Sequence, residues 1–584
     1  MQSALPVEQT IQQIRDNLIG QYQPIETPFG TRPLVYADYT ASGRSLRNIE
    51  ATIVEQVLPY YANTHSEISL CAAQTTALRE AAREIIAEAL GCDSRDRVIF
   101  CGSGATAAIN RLVDMLGLRR SANPVGSVAP AKERPVVFIG PYEHHSNELP
   151  WRESIADVVR IPADERGQID VAALERALLD YAERPLRIGS FSAASNVTGV
   201  VSDVVGITTL LKARGALAFW DYAAGGPYLP IAMNHPDAPI DALFLSPHKF
   251  VGGPGTPGVL ALKAALATNP VPAMIGGGTV SWVSPDGHRY LDDVERREEG
   301  GTPAIVESIR AGLAVRLKQS VGAAEIHRRE SALLARARRE LERCESIEIL
   351  GPGAGERLAI LPLRFHHGDR ELHYGFVVAL LNDLFGIQAR GGCSCAGPYG
   401  HELLDIDADR SRALESSLGE GCAAMRPGWV RLNLNYFIEE QECDYITAAL
   451  ALVAEHGWRL LPAYELNAAR GSWSYRGYQR RLPVSVAMFG DGTAGGAAAK
   501  SPPDFEGLLN EGRERLLGGA TPEQWREARD QPSLSEADEA LRWFTLATDI
   551  EEDFNATPYR VHSGATAAVA RRSWPGVLRS CDGS

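Results

Sequence analysis

From about residue 34 to 300, short apolar runs alternate with stretches whose apolar positions recur every three and four residues, the rhythm of strands alternating with helices. RVIF ending at 100, PVVFIG at 135–140, LRIGSFSAAS near 186–195, ALAFWD at 216–221 and ALFLS at 242–246 predict strands that lead into Gly, Ser, Asp or His. Such an order predicts an α/β architecture with a mainly parallel sheet, and sheets of that kind bind ligands beyond the carboxyl ends of their strands.

Between 305 and 345 the pattern turns helical, in AIVESIRAGLAVRLKQS and then AAEIHRRESALLARARRELERC, and predicts a bridge to a second, α+β lobe. That lobe runs to about 460, with strands at IEIL, LAILPLRF and WVRLNLNYF and helices at GFVVALLNDLF and EEQECDYITAALALVAEHG. Past 465 the character changes to ARGSWSYRGYQRR and then GDGTAGGAAAKSPP at 490–503, a linker composition. Helices are expected in FEGLLNEGRERLL, PEQWREARD and SEADEALRWFTLATDIEEDF, with no recognisable chemistry. The expected division is an N-terminal segment 1–33, a large domain 34–304, interdomain helices and small domain 305–464, and a C-terminal extension 465–584.

The length of 584 residues agrees with several domains, and 45% hydrophobic with 22% charged residues is ordinary globular composition. A formal charge of −15 repels a phosphate backbone and argues against nucleic acid as partner. MQSALPVEQTIQQIRDN lacks a basic flank and apolar core, and no apolar run approaches the ~20 residues of a membrane span, so a cytoplasmic protein without membrane association is expected. The nine cysteines are scattered, which speaks against a disulfide framework. Cys393-Ser-Cys395, their one close pair, has no second ligand pair nearby, so no metal site is predicted.

Candidate chemistry gathers at the predicted strand ends. In LFLSPHKFVGGPGTPG a strand runs into Ser246, His248 and Lys249, and a partly desolvated lysine there offers a neutral amine to an aldehyde. Asp221 directly follows the strand ALAFWD, where a carboxylate can pair with a pyridinium nitrogen. VIFCGSGATAAINRLVDML reads as strand, small-residue turn and helix, whose first-turn amides at Ala105 and Thr106 can bind phosphate. His144 and His145 follow PVVFIG, where a flat imidazole can stack on an aromatic ring, and Asn196 lies in the turn SNVTG. Taken singly, Lys249 also reads as a solvated loop charge, Asp221 as a turn residue or helix cap, and the histidines as surface residues.

Their order changes the reading. GATAAIN, EHHSN, SNVTG, the Trp220-Asp221 pair and SPHK resemble, in sequence and succession, the fold-type I pyridoxal-phosphate enzymes of the class V aminotransferase family, in its cysteine desulfurase and selenocysteine lyase branch. The resemblance covers about residues 34–460. It implies pyridoxal 5'-phosphate as cofactor, with Lys249 carrying it, His144 stacked on the ring, Asn196 contacting the ring hydroxyl or the substrate, and Asp221 as pyridinium partner. Ala105, Thr106, Ser246 and His248 would hold the phosphate. GGGT at 276–279, ending in Thr279, resembles the segment by which a neighbouring subunit completes that site, which implies a homodimer.

The second lobe carries QARGGCSCAGPYG. Arg390, five residues before Cys395, matches the family's R-x-G-x-x-C-A pattern, in which the arginine grips the substrate carboxylate and the cysteine takes sulfur. Arg431 matches a further arginine near the substrate. The implied reaction is L-cysteine to alanine plus a persulfide on Cys395, with His144 or the cationic site assisting thiol deprotonation and a sulfur-acceptor protein downstream. The alternatives are a class V aminotransferase or a C–S or selenocysteine lyase working without a persulfide, and, from another class, a catalytically idle cofactor-binding protein whose C-terminal helices recruit a partner. A free cysteine is also commonly a small buried hydrophobe, and Cys393 reads equally as a relay thiol or an inert one. Three departures stand out: Ala224 where the family has glutamine, Ser66 where it has a basic residue, and a longer stretch between Cys395 and Arg431.

Overall fold

The apolar runs of the first half assemble into one seven-stranded sheet in the computed structural model, which describes residues 6–64, 68–120, 130–480, 502–530 and 534–554. Its strands are β1 (Asp96–Cys101), β2 (Val136–Ile139), β3 (Asp157–Arg160), β4 (Arg187–Ser192), β5 (Leu217–Asp221), β6 (Ala242–Leu245) and β7 (Gly258–Lys263), in spatial order β1-β7-β6-β5-β4-β2-β3. Neighbours from β3 across to β6 are parallel, and β7 runs antiparallel to both β6 and β1. Every residue of β2 and β6 is buried. Helices covering both faces of a parallel sheet produce this, and it explains why these strands read as continuous apolar runs rather than alternating ones.

The two bridging helices are Ile305–Val321 and Ala323–Leu341. They part at Gly322, whose φ of 85° is a left-handed conformation that glycine adopts without steric cost. The second lobe is an antiparallel sheet of β8 (Ile347–Ile349), β9 (Ile360–His367), β10 (Arg390–Gly392) and β11 (Trp429–Asn433), in order β8-β9-β11-β10. Helix Tyr374–Phe385 packs on this sheet, and helix Glu440–His456 packs on that helix. Val35–Tyr36 pairs in parallel with Ile387–Gln388, so the chain returns near its start to meet this lobe.

The C-terminal extension forms helices Phe505–Gly518, Pro522–Arg529, Glu536–Leu541 and Ala547–Phe554. The last expected helix is thus broken in two. Between its halves Trp543 and Phe544 are buried, and the backbone pairs with the second lobe: the Glu371 amide donates to the Trp543 carbonyl at 3.3 Å and the Thr545 amide to the Glu371 carbonyl at 2.8 Å. Burying a large apolar side chain is worth ~1.5–3 kcal/mol, which outweighs the few tenths by which helix propensities differ. Most of the predicted linker, residues 490–501, lies outside the described residues. Among the described residues no helix is long and apolar enough to cross a membrane.

Candidate active site

β6 delivers Lys249 through the single turn Pro247–Lys249, closed by the Lys249 amide on the Ser246 carbonyl at 3.0 Å. Gly253 packs so tightly under this turn that a Cβ there would fall 1.9 Å from the Pro247 carbonyl oxygen, which explains the glycine after Lys249. Burial drives the Lys249 amine down to about 8, Asp221 pulls it back up, and Arg431 and Arg390 push it down again. An amine that is half neutral near pH 8 is a workable nucleophile and base.

Asp221 stands at the end of β5, buried, with its Oδ1 accepting from the Ala223 amide at 2.7 Å. Burial raises its carboxyl, while the Ala223 amide and Lys249 lower it. A carboxylate in this position gains most from a cationic partner, since desolvation is what opposes its charge. Ala224, three residues on, is buried and apolar. Ser66 lies outside the described residues.

At the end of β1 the helix Gly104–Met115 begins, with Gly104 at φ 56°. The Ala105 amide donates to the buried Ser246 hydroxyl at 2.9 Å, and the Thr106 hydroxyl lies 2.6 Å from that of Ser146. A Cβ on Gly104 would approach Ser246 Oγ to 2.8 Å and His248 Nε2 to 3.4 Å, so glycine keeps this hollow open. Burial, followed by Lys249, lowers His248 to about 4. The hollow therefore holds first-turn amides, hydroxyls and a neutral imidazole, a donor set suited to phosphate. Thr279 is held elsewhere: it is buried and its hydroxyl donates to the Gly276 carbonyl of its own loop at 2.7 Å.

His144 caps the helix His145–Arg152, its Nδ1 accepting from the Ser146 amide at 3.1 Å. Burial, then Lys249, lowers it to about 3. With Nδ1 engaged as acceptor, the neutral ring carries its proton on Nε2 and offers a donor there. The residue before it is Glu143, which sequence reasoning did not single out. Its buried carboxylate accepts from the Ser192 amide and hydroxyl at 2.9 and 2.6 Å and from Asn147 Nδ2 at 2.7 Å. Burial raises it to about 7 despite these bonds.

The second lobe contributes the thiol loop. Cys395 is exposed, Cys393 half-buried, and both Ser394 and Cys395 sit at φ 56°. The Cys395 carbonyl accepts from the His145 amide at 2.9 Å, the Gly397 amide donates to His145 Nε2 at 3.0 Å, and Asn196 Nδ2 donates to the Ser394 carbonyl at 2.8 Å. His145, which the sequence placed only beside His144, is thus a two-point anchor for the loop. The long stretch after Cys395 folds as helices Gly397–Leu403 and Ala408–Gly419.

Arg390 and Arg431 are cross-strand partners in β10 and β11. One carboxylate joins them: Asp38 takes Arg390 Nε at 2.9 Å and Arg431 Nη2 at 3.0 Å. The Asn196 carbonyl takes Arg431 Nη1 at 3.1 Å, and Cys395 lies close enough to act electrostatically on Arg431. Two guanidinium groups on one carboxylate leave this corner cationic and attractive to a second carboxylate. Asp38 was missed, although it follows the run LVYA much as Asp221 follows ALAFW.

The chain is similar to known proteins over much of its length. The family that matches is Aminotransferase class-V, over residues 35–422. A probable cysteine desulfurase of Aeropyrum pernix is 30% identical over 397 residues, covering 66% of this chain and 89% of that protein. One from Streptomyces coelicolor is 28% identical over 369 residues, covering 62% and 84%. Among solved structures, the apo cysteine desulfurase of Thermococcus onnurineus superposes with a TM-score of 0.59 at 24% identity, covering 72% of this chain and 95% of that one. The Escherichia coli cysteine desulfurase CsdA does so with 0.58 at 24% identity, covering 76% and 98%. These superpositions establish a shared fold.

Proposed function

The chain belongs to the class V aminotransferase family, and from that premise we propose that it is a pyridoxal-phosphate-dependent cysteine desulfurase, converting L-cysteine to alanine with the sulfur left on Cys395. The observation that carries the reading is the thiol loop: an exposed cysteine tied to His145 and Asn196 beside two arginines, with a lysine lowered to about 8 in the same site. The names of the curated relatives point the same way.

The residues present fit pyridoxal phosphate. The hollow that Gly104 keeps open beside Ser246 and His248 suits the phosphate, buried Asp221 suits a protonated ring nitrogen, and Lys249 suits the aldehyde. When bound, the cofactor supplies an electron sink for charge developing at the substrate Cα. With the cofactor bound, His144 would offer its Nε2 proton to it, and Lys249 would move the substrate Cα proton. Arg390 and Arg431 hold the substrate carboxylate in competition with Asp38. His144, with Nδ1 already engaged and Nε2 protonated, is poorly placed to take the Cys395 proton. Cys395 Sγ attacks the substrate sulfur: an S–S bond forms, the Cβ–S bond breaks, and its electron pair with one proton stays on carbon to give alanine.

The same reading carries a homodimer, a cytoplasmic location and a sulfur-acceptor protein. Beside the Gly276–Thr279 segment, Met274, Ile275, Trp282 and Val283 are 48%, 69%, 68% and 62% exposed, which supports a second copy covering that surface. The function is tested by incubating the yellow protein with L-cysteine and a thiol reductant. Alanine and sulfide in equal amounts support it, and pyruvate with ammonia, or a keto acid, would replace it with a lyase or aminotransferase.

A further inference from the structure

The C-terminal extension lies beyond the family match, which ends at residue 422, and it reaches the strand leading to Cys395 through an aromatic stack. Trp543 is 3% exposed and stacks on His373 and Tyr374, with ring centroids 5.1 and 5.9 Å away and planes within 21° and 20°. Its Nε1 donates to the Met425 carbonyl at 3.3 Å, and the Tyr374 hydroxyl donates to the Arg426 carbonyl at 3.2 Å. Tyr374 in turn presses on β10: a Cβ on Gly391 would fall 2.6 Å from Tyr374 Cδ2. A Cβ on Gly428 would come as close to the Gly392 backbone, at 2.6 Å. Trp543 therefore closes a stack in which one aromatic layer and one turn grip the two glycines between Arg390 and Cys393.

Phe544, fully buried, and the backbone pairing of residues 543 and 545 with Glu371 hold Trp543 in place. Arg542 and Arg370 both pair with Asp549, which ties the segment down on its far side. We propose that Trp543 is a positioning residue for Arg390 and Cys395: the extension sets the path of β10 and so the place from which the thiol loop starts. Arg390 is the residue before Gly391 and Cys395 lies four residues after it, so a shift of β10 moves both. An interior packed to crystal-like density transmits such a shift rather than absorbing it.

This inference rests on the reading of Cys395 as sulfur acceptor, and its test separates the two. In the full-length holoenzyme, Trp543→Ala should keep the cofactor absorbance while turnover of L-cysteine falls at least tenfold. The rate at which iodoacetamide alkylates Cys395, read by peptide mass spectrometry, should shift at least threefold. Trp543→Phe, which keeps a ring in the stack, should restore both to within about threefold of the parent. If Trp543→Ala does not fold, Tyr374→Leu, on the other side of the stack, should give the same pair of changes. Unchanged alkylation and turnover in folded Trp543→Ala, or activity lost only in step with cofactor, would overturn the proposal. If the parent protein forms no alanine from L-cysteine, the functional reading fails, yet the alkylation rates still decide the positioning role.

Discussion

Lys249, Asp221 and Ser246 stand at the ends of buried parallel strands, whereas Cys395 stands on a loop whose residues 394 and 395 both adopt φ 56°. The first group is positioned by the sheet itself, and moving any of its members means moving core. The second is held by the His145 amide, His145 Nε2 and Asn196, hydrogen bonds worth ~1 kcal/mol each. Against them works the cost of two left-handed non-glycine residues, about 1–2 kcal/mol apiece. The two sides nearly balance. On the proposed function, a site built this way would keep its cofactor end rigid and leave its thiol able to move, as it must if it is to take sulfur from a small molecule and hand it to a larger one.

Lys249→Ala strikes the rigid half and should have the largest effect: activity lost by about 10²–10⁴-fold or more, since both the attachment and the proton carrier go. Borohydride reduction followed by peptide mass spectrometry should find the pyridoxyl group on Lys249 in the parent and on no lysine in the variant. A label on another lysine would break the assignment of the rigid half. Arg390→Ala strikes the strand that leads into the thiol loop and should raise KM for L-cysteine at least tenfold, as loss of a charge-assisted pair costs ~1.5–3 kcal/mol. An unchanged KM would leave the carboxylate to Arg431 alone.

Lys249 also gives a pH test. Burial lowers its amine from 10.5 to about 8, so the folded chain sheds this proton between those values where an unfolded chain still holds it. Cofactor uptake by the apo-protein needs the neutral amine. Its rate should rise about tenfold per pH unit below 8 and level off above it. A rise continuing to pH 10 would mean an unperturbed lysine. The smallest effect belongs to the flexible half: His145→Ala removes one of the three loop anchors, ~1 kcal/mol, and should slow turnover about fivefold with the cofactor spectrum unchanged. A loss of the spectrum would place His145 with the rigid half instead.

The same contrast governs what could be read from the sequence. Strand ends are legible because burial on both faces writes a strand as an unbroken apolar run, so the polar residue that closes it, Asp221 or Ser246, stands out. Asp38 follows a comparable run, but its partners lie 352 and 393 residues away, and only the pairing of β10 with β11 brings them to one carboxylate. The anchor role of His145 was hidden for a similar reason, since it depends on a backbone amide and on a loop 252 residues distant. In the extension, periodicity predicted one long helix where Trp543 and Phe544 break it, because burial against His373 and pairing with Glu371 override local propensity.

The central claim is that Cys395 takes sulfur, and rapid trapping tests it most directly. The holoenzyme is mixed with L-cysteine, quenched with an alkylating agent within one turnover, and its peptides are weighed. The account predicts one added sulfur on Cys395 with an equal amount of alanine, persisting in Cys393→Ser and absent in Cys395→Ser, which keeps its cofactor. Sulfur on Cys393 in the Cys395→Ser protein at an undiminished rate would move the acceptor, and full activity in both variants would contradict the thiol mechanism altogether.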